Sequence, residues 1–201
     1  MFIELTDHLR CPADHPESFL IMLPAAMEER SVMAGELGCP VCGRIYRITG
    51  GVADLRLPDA PPLPAGTESA SALDTDGLTA LLGLNGPGGW MVLVGEPARR
   101  WGELLERVPG VAPVAVNPPE GIPVKYPLSS LLSGRIPLRS RSMRAVVLGP
   151  GYGEDGAWVA EAARVALPGL RVVGQGPEPG IRELELLASA DGVWVASRAS
   201  G

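Results

Sequence analysis

Four residues near the start of the chain have types and spacing suited to one chemistry. Cys11 and His15 open a first knuckle, and Cys39 and Cys42 form a second. Zinc takes thiolate sulfur and imidazole nitrogen in a closed tetrahedron, and a two-residue gap such as Cys39-Pro40-Val41-Cys42 lets both sulfurs face one point. Gly43 permits the tight turn after the second sulfur, and Pro12 and Pro40 stiffen the knuckles in the same way, each directly after a cysteine. Asp14 is an alternative to His15 as the second ligand, because zinc also accepts a carboxylate oxygen. With every position filled by protein, no site remains for an activated water, so the metal is expected to be structural. The three cysteines of the chain all lie here. An odd count makes a poor disulfide framework and a good partial metal site, which places the protein in the reducing cytoplasm. His8 precedes the knuckle and reads as a surface histidine.

Positioning two knuckles around one metal requires a small sheet, and the intervening sequence supplies it. Residues 19–23 are an apolar run, and 31–37 can return antiparallel to them. Residues 44–48 alternate polar and apolar as a half-buried strand does; Gly50-Gly51 makes a turn, and 52–57 leave it. Three stretches together, Leu9-Arg10-Cys11-Pro12, Cys39-Pro40-Val41-Cys42-Gly43-Arg44-Ile45-Tyr46-Arg47-Ile48 and Gly51-Val52-Ala53-Asp54-Leu55, resemble the Trm112-type zinc ribbon. The resemblance implies a ribbon that either partners a methyltransferase or is fused ahead of a methyltransferase domain. One departure is visible: Asp14 stands where that family carries a second cysteine.

The proline-rich stretch 58–66 and the small polar residues after it read as a linker, which divides the chain into a ribbon (1–57), a linker (58–72) and a larger domain (73–201). In that domain strands are expected at 90–94, 114–116, 144–148, 170–173 and 193–196. Helices are expected at 77–84, 99–108, 158–167 and 181–190, with a brief one at 128–132. The alternation predicts an α/β fold, a doubly wound, Rossmann-like parallel sheet preceded by the small β zinc ribbon. Order and spacing resemble a class I S-adenosylmethionine-dependent methyltransferase domain from about Leu73 to Arg198.

That resemblance implies a glycine-rich loop and an acid after the first strand, yet the sequence departs from it. Gly95 is kept, but Leu93 takes the place of the acid, and Pro97 and Arg99 replace the second and third glycines. Glu96 is displaced from the acidic position. Val116 or Asn117 stands where an acid would hold the ribose hydroxyls, and Arg144 stands where an aspartate is expected. Pro97, Arg99 and Arg144 are expected to crowd the cleft above Gly95 and Gly149. Any remaining S-adenosylmethionine contacts fall to Gly95, Glu96, Asn117 and Gly149, and no catalytic residue is identified. Tyr152 and Glu154 follow the third strand at the end where α/β folds bind ligands, although a plain glycine-rich turn explains them better.

The resemblance thus implies a non-catalytic scaffold or regulatory partner acting through its ribbon, with a methyltransferase or a second copy as partner. An active methyltransferase with a divergent cofactor loop is the alternative. A net charge of -6 and 4% aromatic residues disfavour phosphate-held or base-stacked nucleic acid. The run Arg135, Arg139, Arg141 and Arg144 reads as a solvated loop. No apolar run is long enough to cross a membrane, and both histidines lie before the larger domain, so no Ser/His/Asp set is available there.

Overall fold

The computed structural model describes residues 1–60, 62–64 and 73–199, so much of the 58–72 linker lies outside the described residues. Eleven strands form one sheet in the order β1-β2-β3-β4-β7-β6-β5-β8-β9-β11-β10. The ribbon supplies β1 (Ile21–Glu28), β2 (Ser31–Gly38), β3 (Ile45–Thr49) and β4 (Val52–Asp54). The rest supplies β5 (Trp90–Val94), β6 (Ala112–Val116), β7 (Ser129–Leu132), β8 (Met143–Leu148), β9 (Ala166–Gln175), β10 (Leu184–Ala190) and β11 (Val193–Arg198). The helices are α1 (Thr75–Leu82), α2 (Trp101–Arg107) and α3 (Gly156–Val165). The sheet is mixed: β4 through β9 pair in parallel, while both edges are antiparallel. Counted from β5, its first five strands follow the doubly wound order 3-2-1-4-5, with the switch point between β5 and β8.

The central strands are apolar without a break because both of their faces are covered. Met91, Leu93, Ala115, Ala145 and Val147 pack with Leu78 and Leu82 of α1 and Leu104 of α2. The alternate residues, Val92, Val94, Val114, Val116, Val146 and Leu148, pack with Trp158, Val159 and Ala162 of α3. Leu5, Leu9, Ile136 and Leu138 belong to this second cluster. No helix is assigned in 117–128 or 133–142, so the amino-terminal segment covers part of the face that crossover helices would otherwise cover.

Two expected helices are strands. Residues 181–190 were expected to be helical, yet 184–190 form β10, antiparallel to β11 with Ala190 opposite Val193. The two-residue turn between them is Asp191-Gly192, both with positive φ (52° and 72°), the backbone a tight hairpin demands. The brief helix at 128–132 is instead β7, a strand between β4 and β6, where its buried Ser129 accepts a hydrogen bond from the Phe2 amide (3.0 Å). His8 is half-buried rather than on the surface, because its ring packs against Trp90 at 5.8 Å.

Beyond the β4–β7 pairing, the ribbon is joined to the larger segment by backbone and charge. The Arg10 amide donates to the Pro137 carbonyl (2.9 Å) and the Arg139 amide to His8 (2.7 Å). Glu17 accepts from the Ser140 hydroxyl (2.6 Å) and pairs with Arg164 (3.2 Å) and Arg10 (3.4 Å). Glu161 on α3 in turn pairs with Arg164 and Arg135. Burial raises the Glu17 carboxyl, but Ser140, Arg164 and Arg10 outweigh it and hold it below its ordinary 4.5. A carboxyl depressed in the fold stabilises above its unfolded value and loses that contribution as pH falls through the folded value. The stability difference between wild type and Glu17→Gln, measured by urea unfolding, is therefore expected to shrink as pH falls below about 4.5. A difference that stays constant into strong acid would contradict the latch.

Candidate metal centre and the crevice at the switch point

The knuckles converge. One ligand atom from each of Cys11, His15, Cys39 and Cys42 lies within 4.8 Å of all the others. Cys11 Sγ is 3.8 Å from Cys42 Sγ, and Cys39 Sγ is 3.4 Å from His15 Nε2. Ligands bound tetrahedrally at zinc–sulfur and zinc–nitrogen lengths sit about 3.5–3.8 Å apart, so these spacings fit one such ion. The cluster takes His15 and leaves Asp14 exposed. His15 Nδ1 lies 2.7 Å from the Pro16 carbonyl. That contact fits a proton on Nδ1 and a lone pair on Nε2, on the side of Cys39.

Each sulfur is supported by the local fold. The Gly43 amide donates to the Cys39 carbonyl (3.0 Å), and Gly43 takes φ 69° to close the turn. Burial raises the Cys39 thiol, but the amides of Cys42 and Val41 and the neighbouring thiols outweigh it, lowering it to about 6. Burial raises the Cys11 thiol to about 11, against a hydrogen bond with Tyr46. The Tyr46 hydroxyl lies 3.2 Å from Cys11 Sγ and is itself buried. Tyr46 was not singled out as a site residue, though its place in the alternating 44–48 run marks it as an inward-facing position.

At the switch point, past the paired ends of β5 and β8, side chains of the same chain lie against the glycines. Gly95 follows β5 with φ 71°, and a Cβ built there would lie 2.7 Å from the Tyr152 ring. Tyr152 is 5% exposed and meets Trp158 edge-on at 4.8 Å. Burial pushes its hydroxyl above the ordinary range, offset by a hydrogen bond with the Asn117 side chain. Asn117, at the end of β6, is committed further: its amide donates to the Ser133 carbonyl (2.8 Å) and its oxygen accepts from the Ser133 amide (2.9 Å). At Gly149, following β8, a Cβ would lie 2.6 Å from Pro97, which is buried. The loop carrying Tyr152 is held from behind, since Trp194 Nε1 donates to the Gly153 carbonyl (3.3 Å).

Pro97 therefore lies against Gly149, whereas neither arginine is found against Gly95 or Gly149. Arg99 is exposed. Arg144 lies at the opposite end of the sheet, near the start of β8, where its guanidinium donates to the carbonyls of Asn85, Gly86, Pro87 and Gly88 at 2.7–3.1 Å. It holds the loop that leads into β5. The side chain against Gly95 is that of Tyr152, while Glu154 is exposed. Glu96 is half-buried, with one carboxylate oxygen buried and, among the described residues, without a hydrogen-bond partner.

No family model matches the chain, and no curated protein matches it. Among solved structures, the antibiotic-resistance methyltransferase Kmr is similar at 10% identity and a TM-score of 0.44, over 67% of this chain and 97% of that one. The pyocyanin biosynthetic protein PhzM is similar at 15% identity and a TM-score of 0.40, over 58% of this chain and 52% of that one.

Two substitutions separate the candidate second ligands. Zinc content by elemental analysis is expected to fall in His15→Ala and to stay at wild-type level in Asp14→Ala; the reverse pattern would assign the carboxylate instead. A second pair of outcomes concerns the crevice. Removing a packed aromatic ring leaves a cavity, so Tyr152→Ala is expected to cost about 3 kcal/mol or more in urea unfolding. A cost under about 0.5 kcal/mol, the range of surface substitutions, would mean that the ring lies over an open pocket.

Proposed function

We propose that this chain is a non-catalytic methyltransferase-like protein that acts as a scaffold or regulatory partner through a zinc-tied ribbon. The observation that carries the reading is the filled crevice. Tyr152 over Gly95 and Pro97 against Gly149 occupy the ground where an α/β fold of this strand order binds its ligand. Asn117, the one residue at the end of β6 able to hold a ribose hydroxyl, is already paired with Ser133. The metal reading completes the picture. Three sulfurs and one nitrogen would close the tetrahedron and leave no position for water, so zinc there would tie the knuckles together and supply no chemistry.

The ribbon offers a face for a partner. Ile21, Gly38 and Ile45 form one row across β1, β2 and β3, and Ile21 and Ile45 are 47% and 63% exposed. Phe19, Leu23 and Val41 are also exposed, and a Cβ at Gly38 would meet nothing within 4 Å. Apolar side chains exposed along a sheet row are the kind of surface that protein contacts use. By its resemblance to Trm112-type ribbons, the partner would be a methyltransferase or a second copy, met in the cytoplasm. No helix among the described residues is long and apolar enough to cross a membrane.

The competing reading, an active S-adenosylmethionine-dependent methyltransferase, is favoured by one observation: the unpartnered, buried oxygen of Glu96, one residue past Gly95. Titration calorimetry with S-adenosylmethionine separates the two. No heat of binding is expected, and micromolar affinity would overturn the non-catalytic reading.

A further inference from the structure

The four candidate metal ligands are not equivalent. Cys42 is exposed, whereas Cys11 and Cys39 are buried. Cys42 Sγ lies 3.8 Å from Cys11 Sγ, and Cys39 Sγ faces the His15 nitrogen at 3.4 Å. Two sulfur pairs span the knuckles, Cys11 with Cys42 and Cys11 with Cys39; only the first has a member open to solvent. Sulfurs about 3.8 Å apart need to approach by only about 2 Å to bond, a movement within reach of side-chain rotation.

We infer that Cys11 and Cys42 are an oxidisable pair that closes into a disulfide when a hydroperoxide reaches Cys42. In the first step the Cys42 thiolate attacks one oxygen of hydrogen peroxide; the S–O bond forms, the O–O bond breaks, and the products are a Cys42 sulfenic acid and hydroxide. In the second, Cys11 sulfur attacks the sulfenic sulfur; the S–S bond forms, the S–O bond breaks, and the departing hydroxide takes the Cys11 proton as water. The two sulfurs give up two electrons, and one peroxide is reduced. The bond would remove two of the four donors, leaving Cys39 and His15, a set too small to retain zinc in a closed site. It would also join the same two knuckles that the metal joins, so the ribbon would stay tied after the ion has left. A Cys39–Cys42 bond within one knuckle would also remove two donors, but it would not join the knuckles. The sulfur pairing stands on its own; only the loss of metal rests on the zinc reading above.

Trypsin separates the alternatives. Cleavage after Arg10, Arg30 and Arg44 puts Cys11 on the peptide 11–30 and both Cys39 and Cys42 on 31–44. Wild-type full-length protein, stripped of metal under reductant and then treated with hydrogen peroxide, is expected to yield these peptides cross-linked. Fragmentation would place the bond at Cys42, with Cys39 still open to alkylation. Cys39→Ser is expected to keep the cross-link, and Cys11→Ser to leave Cys42 to oxidise further to sulfinic acid. A bond within 31–44, or recovery of wild-type Cys42 chiefly as sulfinic or sulfonic acid, overturns the inference. In zinc-loaded protein, release followed with a chromogenic chelator is expected to keep pace with the cross-link. A cross-link in protein that binds no zinc would sink the zinc reading and leave the pairing in place.

Discussion

The contact between the Tyr152 ring and Gly95 is the constraint on which any functional view of this molecule depends. An α/β sheet opens a crevice where its strand order reverses, and glycines there let a ligand approach the backbone. Gly95 and Gly149 stand at that place, but a tyrosine and a proline of the same chain lie against them. The tyrosine is not a loose flap. Trp158 meets its ring, and the next residue, Gly153, is tied to Trp194. Displacing it would disturb packing on both sides of the crevice.

The ribbon and the larger segment are bound to each other through the sheet itself. The β4–β7 pairing makes the four ribbon strands an extension of the parallel core. Leu5 and Leu9, from the segment ahead of the first knuckle, are fully buried in the cluster under α3. Glu17, just past that knuckle, reaches Arg164 on α3. Metal held by Cys11, His15, Cys39 and Cys42 would therefore act on more than a small appendage, because the first knuckle is continuous with chain that covers the sheet. The opposite face of the ribbon, with Ile21 and Ile45, stays free of such duties and exposed.

The convergence of Cys11, His15, Cys39 and Cys42 was legible in the sequence because its signal is local: residue type, spacing, and a glycine where the turn tightens. The apolar strands at 90–94 and 144–148 were legible for the same reason. What failed depended on knowing where strands end. Arg144 was aligned with a ligand position, yet it lies near the beginning of β8 and faces the loop before β5. Residues 181–190 carry a pattern compatible with a helix, and the Asp191-Gly192 turn, a strong hairpin signal, decides for a strand. Tyr152 was visible only as a residue in a glycine-rich run. That its ring turns back over Gly95 follows from the fold of 149–153 against β9, where a Cβ at Gly153 would strike the Gln175 backbone. No spacing rule carries that information.

The most direct test of the filled crevice is a crystal structure determined after soaking with S-adenosylmethionine at high concentration. The expected result is the Tyr152 ring still against Gly95 and no cofactor density at the carboxyl ends of β5 and β6. Ordered cofactor in that place, with the tyrosine swung aside, would contradict the account.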